Sequence, residues 1–204
     1  MSRALSLLLL GCSSVIGCRE KPPTGQATTS VSSAPAAPVA SAPAGRDAPS
    51  PSAPHAPPFE GTTGITDALD PGAMGVAVLT AVRSARHDDF DRVVFEFAGS
   101  DRPGYHVEYV DYPVRRCGSG DPTEIAGEGF LQVRLTPAAA HTEAGAPTIT
   151  QRERHPNLPL LRELELTCDF EAIVTWVLGL RAPNGYRVLE LSSPPRLVVD
   201  VRHQ

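Results

Sequence analysis

Several residues in this chain have side chains that could do chemistry, and their spacing decides whether they do. Asp88, Asp89 and Asp91 place three carboxylates within four positions, a composition that serves acid–base catalysis or a hard cation. They fall where one apolar stretch gives way to the next, and acidic side chains in turns bond their own backbone, so a structural role is expected. His87, His106, His141, His155 and His203 stand singly, without the short His or Cys spacings that gather ligands, so no metal and no cofactor is expected. Ser119, in Cys117-Gly118-Ser119-Gly120, lacks the two-sided Gly-x-Ser-x-Gly of a nucleophile elbow and reads as a turn. Nothing in the chain therefore carries catalysis, and a non-enzyme is expected. Tyr112, Arg115 and Arg116 form the most credible exposed binding patch, a ring beside two planar guanidinium forks that suit carboxylates. Arg152 and Arg154 read as a second exposed group. Trp176, within the apolar run 174–178, is expected in the core, as are Tyr105 and Tyr109, which share a face with Val107.

The cysteines define the compartment. Arg3, the apolar run Ala4 to Leu10 and Val15-Ile16-Gly17-Cys18 read as a lipoprotein signal peptide over residues 1–17, with Cys18 acylated. Cys12 follows Leu9-Leu10-Gly11 and matches the same pattern, but cutting there leaves an apolar run of about seven residues against about fourteen for Cys18. The run is short of the roughly 20 residues needed to span a bilayer. An exported chain would hold Cys117 and Cys168 in an oxidising compartment, where a pair is expected as a disulfide. Arg19 is not the Asp that retains lipoproteins in the inner membrane, so an outer membrane is favoured where the cell has one.

Residues 18–75 read as a disordered linker: Lys21 to Pro58 holds ten of the 21 prolines among Ala, Ser and Thr, with too little apolar surface to fold. Between coil and extended polyproline, its reach runs from roughly 40 to 150 Å. Residues 76–204 then change to period two. Val93-Phe95-Phe97, Tyr105-Val107-Tyr109, Leu131-Val133-Leu135 and Leu164-Leu166-Cys168 alternate with polar partners. Ile173 to Leu178 reads as a central strand, and Arg187 to Leu191 and Leu197 to Val201 as two more. Turns separate them at Asp101-Arg102-Pro103-Gly104 and Pro183-Asn184-Gly185. Pro137 to His141 reads as a brief helix, and Glu143 to Pro159 as a long surface loop. Seven or eight short strands predict an all-β sandwich or barrel.

The segments Ala85 to Phe97 and Pro103 to Val110 resemble the opening of the AMIN-like domain of bacterial exported lipoproteins. Gly129 to Leu135, Asp169-Phe170-Glu171, Gly179-Leu180 and Pro194 to Val201 resemble its later landmarks. The resemblance implies a β-sandwich similar to the AMIN module of cell-wall amidases, which places its enzyme at peptidoglycan. It implies binding or scaffolding, with peptidoglycan or an envelope protein as partner beside the lipid anchor. An envelope-polymer hydrolase of unrecognised type and a protein–protein assembly factor using an edge strand are the alternatives. The whole chain carries 18 basic and 23 acidic residues, a net charge of −5, and no basic face, so nucleic acid is not an expected partner.

Overall fold

The computed structural model describes residues 59–68 and 75–204; the leader with Cys12 and Cys18, and the linker up to residue 58, lie outside the described residues. Eleven strands form two sheets: β1 (Thr66–Ala68), β2 (Ala77–Arg86), β3 (Phe90–Phe97), β4 (Gly104–Val110), β5 (Gly129–Thr136), β6 (Ala138–Ala139), β7 (Glu153–Arg154), β8 (Leu161–Phe170), β9 (Ile173–Leu180), β10 (Tyr186–Ser192) and β11 (Pro195–Arg202). One sheet has the order β1-β4-β5-β9-β8-β7 and the other β10-β11-β3-β2-β6. Among the described residues, only the β2–β6 pairing is parallel. The fold is the all-β sandwich that the alternation predicts. Each long strand turns one apolar row inward: Val93, Phe95 and Phe97 from β3 face the side on which Leu131, Val133 and Leu135 of β5 and Trp176 of β9 are buried. Full burial of each such side chain contributes about 1.5–3 kcal/mol, so this shared interior is what holds the sheets together.

Two buried carboxylates complete the frame. Asp91, fully buried, accepts hydrogen bonds from the backbone N–H groups of Leu160 (2.8 Å) and Leu161 (2.9 Å), and its other oxygen lies 2.8 Å from His203 Nε2. It ties β3 to the entry of β8 and to the end of the described chain. Asp200 lies in one cross-strand row with Arg187 and Arg92. It accepts from both guanidinium groups, at 2.6 and 2.9 Å from Arg92 and 2.9 Å from Arg187. The acidic cluster at 88–91 thus serves the fold through Asp91, which lies in β3 and not in the turn, and which bonds distant backbone instead of its own.

The fold differs from the sequence reading in four places. The domain begins before residue 76: β1 pairs with β4, Thr62 exchanges two 2.8 Å backbone bonds with Tyr186, and Arg187 lies over the Phe59 ring. This segment joins through backbone bonds and one ring, which leave no apolar period to read. Residues Pro137 to His141 form no helix; Ala138–Ala139 is the edge strand β6, and the small alanines let it tuck against β2 with Ala138 fully buried. The segment 143–159 contains the short strand β7, paired to β8. β2 itself is hidden in the sequence because a bulge between Leu79 and Ala81 breaks the alternation.

Candidate functional site

The residues 111–128, between β4 and β5, cross the outer face of the six-stranded sheet and carry Tyr112, Arg115, Arg116 and Cys117. Apolar contact holds the crossing down. Val114 and Ile125 pack with Phe130 of β5 and Val177 of β9 in a cluster of their own. Gly179 makes the close approach possible, because a Cβ at that position would stand 2.2 Å from the Ala126 carbonyl oxygen and 2.7 Å from Ile125.

Polar bonds fix the rest of the crossing. Two carboxylates on the outer face of β8 are buried beneath it. Glu163 accepts from the Ala126 N–H at 2.7 Å, and Glu165 accepts from Arg116 Nη2 at 2.5 Å. Cys117 and Cys168 are joined in a disulfide, with Cα atoms 5.2 Å apart and a sequence separation of 51. On the chain-entropy account, closing such a loop stabilises by about 4 kcal/mol.

Burial pushes the Glu165 carboxyl above the ordinary carboxylate range even though Arg116 pulls it down, with Glu153 and Glu163 adding repulsion. A raised acid pKa means that the folded state holds this proton at pH values where the unfolded state has released it, so Glu165 subtracts stability as pH climbs above the ordinary range. Glu165→Gln, which keeps an acceptor for Arg116, is therefore expected to be more stable than the parent at pH 8, with the gap closing as pH falls to 4.5. Thermal melts of both proteins across that range check it; a gap that widens on acidification contradicts it.

The crossing forms one wall of a groove. Arg115, the Cys117–Cys168 bridge, Gln132, Arg134, Thr175 and Ile173 line an open concavity of about 280 Å³. A second of about 360 Å³ adjoins it, lined by Tyr105, His106, Glu108 and Thr136, and shares Gln132 and Arg134 with the first. The sheet register sets this arrangement: His106, Arg134 and Thr175 lie side by side on β4, β5 and β9, and Glu108 lies beside Gln132. Arg134 projects from an interior strand and has no side-chain hydrogen bond or ion pair among the described residues. Arg115 spends one N–H on the Gly120 carbonyl at 2.8 Å. The floor thus offers two guanidinium forks, an amide and a hydroxyl, a donor set for carboxylates and polyols.

The three residues of the expected patch are all exposed, and each makes different contacts. Arg115 faces the groove. Arg116 stays half exposed while it donates to the buried Glu165 and, at 3.1 Å, to Thr123 Oγ1, so part of its role is to hold the wall in place. Tyr112 is exposed, donates to Glu124 Oε1 at 3.0 Å and rests against the Phe130 ring at 5.7 Å between centroids. The sequence reading missed Gln132, Arg134 and Thr175, though the period-two pattern of 131–135 turns Gln132 and Arg134 away from the core.

The second arginine pair is only half exposed. Arg152 is exposed, but Arg154 turns inward over the Trp176 ring. Trp176 is fully buried, and the face it shares with Tyr105 and Val107 is the core. Glu153, His155 and Glu163, far apart by the spacing rule, come within 4.8 Å of one another. His155 turns Nε2 to Glu153 (2.8 Å) and Nδ1 toward Glu163 (3.7 Å), so its two nitrogens serve different carboxylates instead of converging on one centre.

No curated protein and no solved structure matches the chain. The family comparison agrees with the architecture: the AMIN-like domain model matches residues 77–203, which hold ten of the eleven strands, β2 to β11, and leave out only β1. The chain belongs to the AMIN-like domain family.

Proposed function

We propose that this protein is a lipid-anchored, extracytoplasmic and non-catalytic module that binds cell-envelope polymer, peptidoglycan foremost, through the groove between Arg115 and Arg134. AMIN-like domains are linked to peptidoglycan and envelope binding. The observation that carries the reading to a particular face is Arg134, a guanidinium on a central strand with no partner among the described residues, at the junction of two open concavities. Peptidoglycan stem peptides present carboxylates, which planar guanidinium forks bind in two-point fashion. Cys18 is the proposed anchor, Cys12 the alternative, and the linker the tether that lets the domain reach the wall from an outer membrane. The deciding experiment sediments the protein with insoluble peptidoglycan, native and with its carboxyls converted to amides. Retention on the native polymer and its loss on the amidated one is expected; equal retention on both would remove the carboxylate from the account.

A second reading as an assembly factor has one observation behind it. β10 is an edge strand that Thr62 covers only at Tyr186, with Leu189 and Leu191 exposed further along it, and an uncovered edge can accept a partner strand.

A further inference from the structure

Apart from the groove, the sandwich holds a cation that has no counter-ion among the described residues. Beyond its two-residue pairing with β6, the free edge of β2 is covered by the segment 148–154. Thr148 donates its hydroxyl to the Leu79 carbonyl at 2.6 Å, and Arg154 donates from Nη1 to the Val82 carbonyl at 2.6 Å. The Arg154 guanidinium lies 5.7 Å from the centroid of the fully buried Trp176 ring. Arg154 Nε, Arg154 Nη2 and Trp176 Nε1 are all buried, and none has a hydrogen-bond partner among the described residues. All three are donors. No carboxylate among the described residues pairs with Arg154, whose charge burial disfavours.

A buried N–H left unbonded costs about 1–3 kcal/mol, and a buried charge without a partner costs more. Arginine cannot escape by losing its proton. Water would supply lone pairs but no charge; an anion supplies both. A concavity of about 210 Å³ opens beside the guanidinium, lined by Thr80, Thr150, Gln151 and Arg154, with two hydroxyls and an amide at its walls. We infer that the pocket between β2 and the segment 148–154 binds a small monovalent anion, a halide or a carboxylate, through Arg154 beside Trp176.

The chain has a single tryptophan, and its ring lies 5.7 Å from the Arg154 guanidinium, so its fluorescence reports an ion held beside that group. The experiment titrates the intact protein with sodium iodide, at ionic strength held constant with sodium sulfate, and follows Trp176 emission. An indole with no solvent exposure is shielded from collisional quenching, so a saturating curve reports a bound ion. Saturable quenching is expected in the parent and its loss in Arg154→Met, with the emission maximum unchanged. Chloride and acetate are then added as competitors: reversal by chloride alone identifies a halide site, and reversal by acetate identifies a carboxylate site. Gln151→Leu, an exposed change at the mouth that leaves Arg154 and the core in place, is expected to weaken iodide about threefold and covers the case in which the Met variant fails to fold. Linear or absent quenching in the parent would overturn the inference and leave the three donors to water. Quenching that survives unchanged in every variant that folds would do the same.

Discussion

Asp91→Ala is expected to destabilise the domain by about 3–5 kcal/mol, an effect as large as breaking a buried ion pair. The carboxylate is fully buried and accepts two backbone N–H bonds, from Leu160 and Leu161, which are themselves buried. Alanine leaves both donors with no acceptor and no route to water, at about 1–3 kcal/mol each. It also removes the partner of His203, whose own N–H is bonded to the Asp89 carbonyl. Asp91→Asn keeps an acceptor oxygen and should lose less. Denaturant unfolding of the three proteins checks the order; a loss below about 1 kcal/mol for alanine would mean that water reaches the site and would contradict the burial argument.

Gly179→Ala is expected to cost about 3 kcal/mol, the upper part of the overpacking range, and to damage the groove as well as the fold. The neighbour that an added Cβ meets first is a backbone oxygen, Ala126 at 2.2 Å, which cannot move aside by changing a rotamer. Relief requires the crossing to lift from the sheet. That withdraws the Ala126 N–H from Glu163 and opens the cluster of Val114, Ile125, Phe130 and Val177. The Cys117–Cys168 bridge still tethers the crossing, so the sandwich should fold while the Arg115 wall becomes poorly placed. The readout is paired: denaturant stability, together with the affinity for peptidoglycan measured below the melting point. Stability lost with affinity kept would show that the wall does not shape the binding face.

The core was legible in the sequence wherever alternation is unbroken. Val93-Phe95-Phe97 and Leu131-Val133-Leu135 point inward as their period requires, and Cys117 pairs with Cys168. What could not be read has local causes. The bulge in β2 shifts the period by one residue, which erases the strand signal over Ala77–Arg86. The β8–β9 hairpin turns through Glu171 and Ala172 at φ of 50° and 57°, a left-handed pair usually written Asn-Gly, so the sequence carries no turn signal there. The candidate site was half visible. The exposure of Arg115 and Arg116 was legible, whereas the ion pair that Arg116 makes depends on Glu165, which lies 49 positions away in the chain. The isolation of Arg134 depends on which neighbours the register supplies. A period-two pattern tells which face a side chain takes, but not whether that face holds a counter-charge.

The most direct measurement of the central claim is a saturation curve for the protein on insoluble peptidoglycan, with Arg115→Gln/Arg134→Gln beside it. Both positions are at the surface, so the double variant should fold and melt like the parent. The account predicts saturable co-sedimentation of the parent and a weakening of at least about tenfold in the double variant, the loss of two charge-assisted contacts of about 1.5–3 kcal/mol each being enough to produce it. Equal binding by the two proteins would contradict the groove as the binding face, and no binding by the parent would contradict peptidoglycan as its partner.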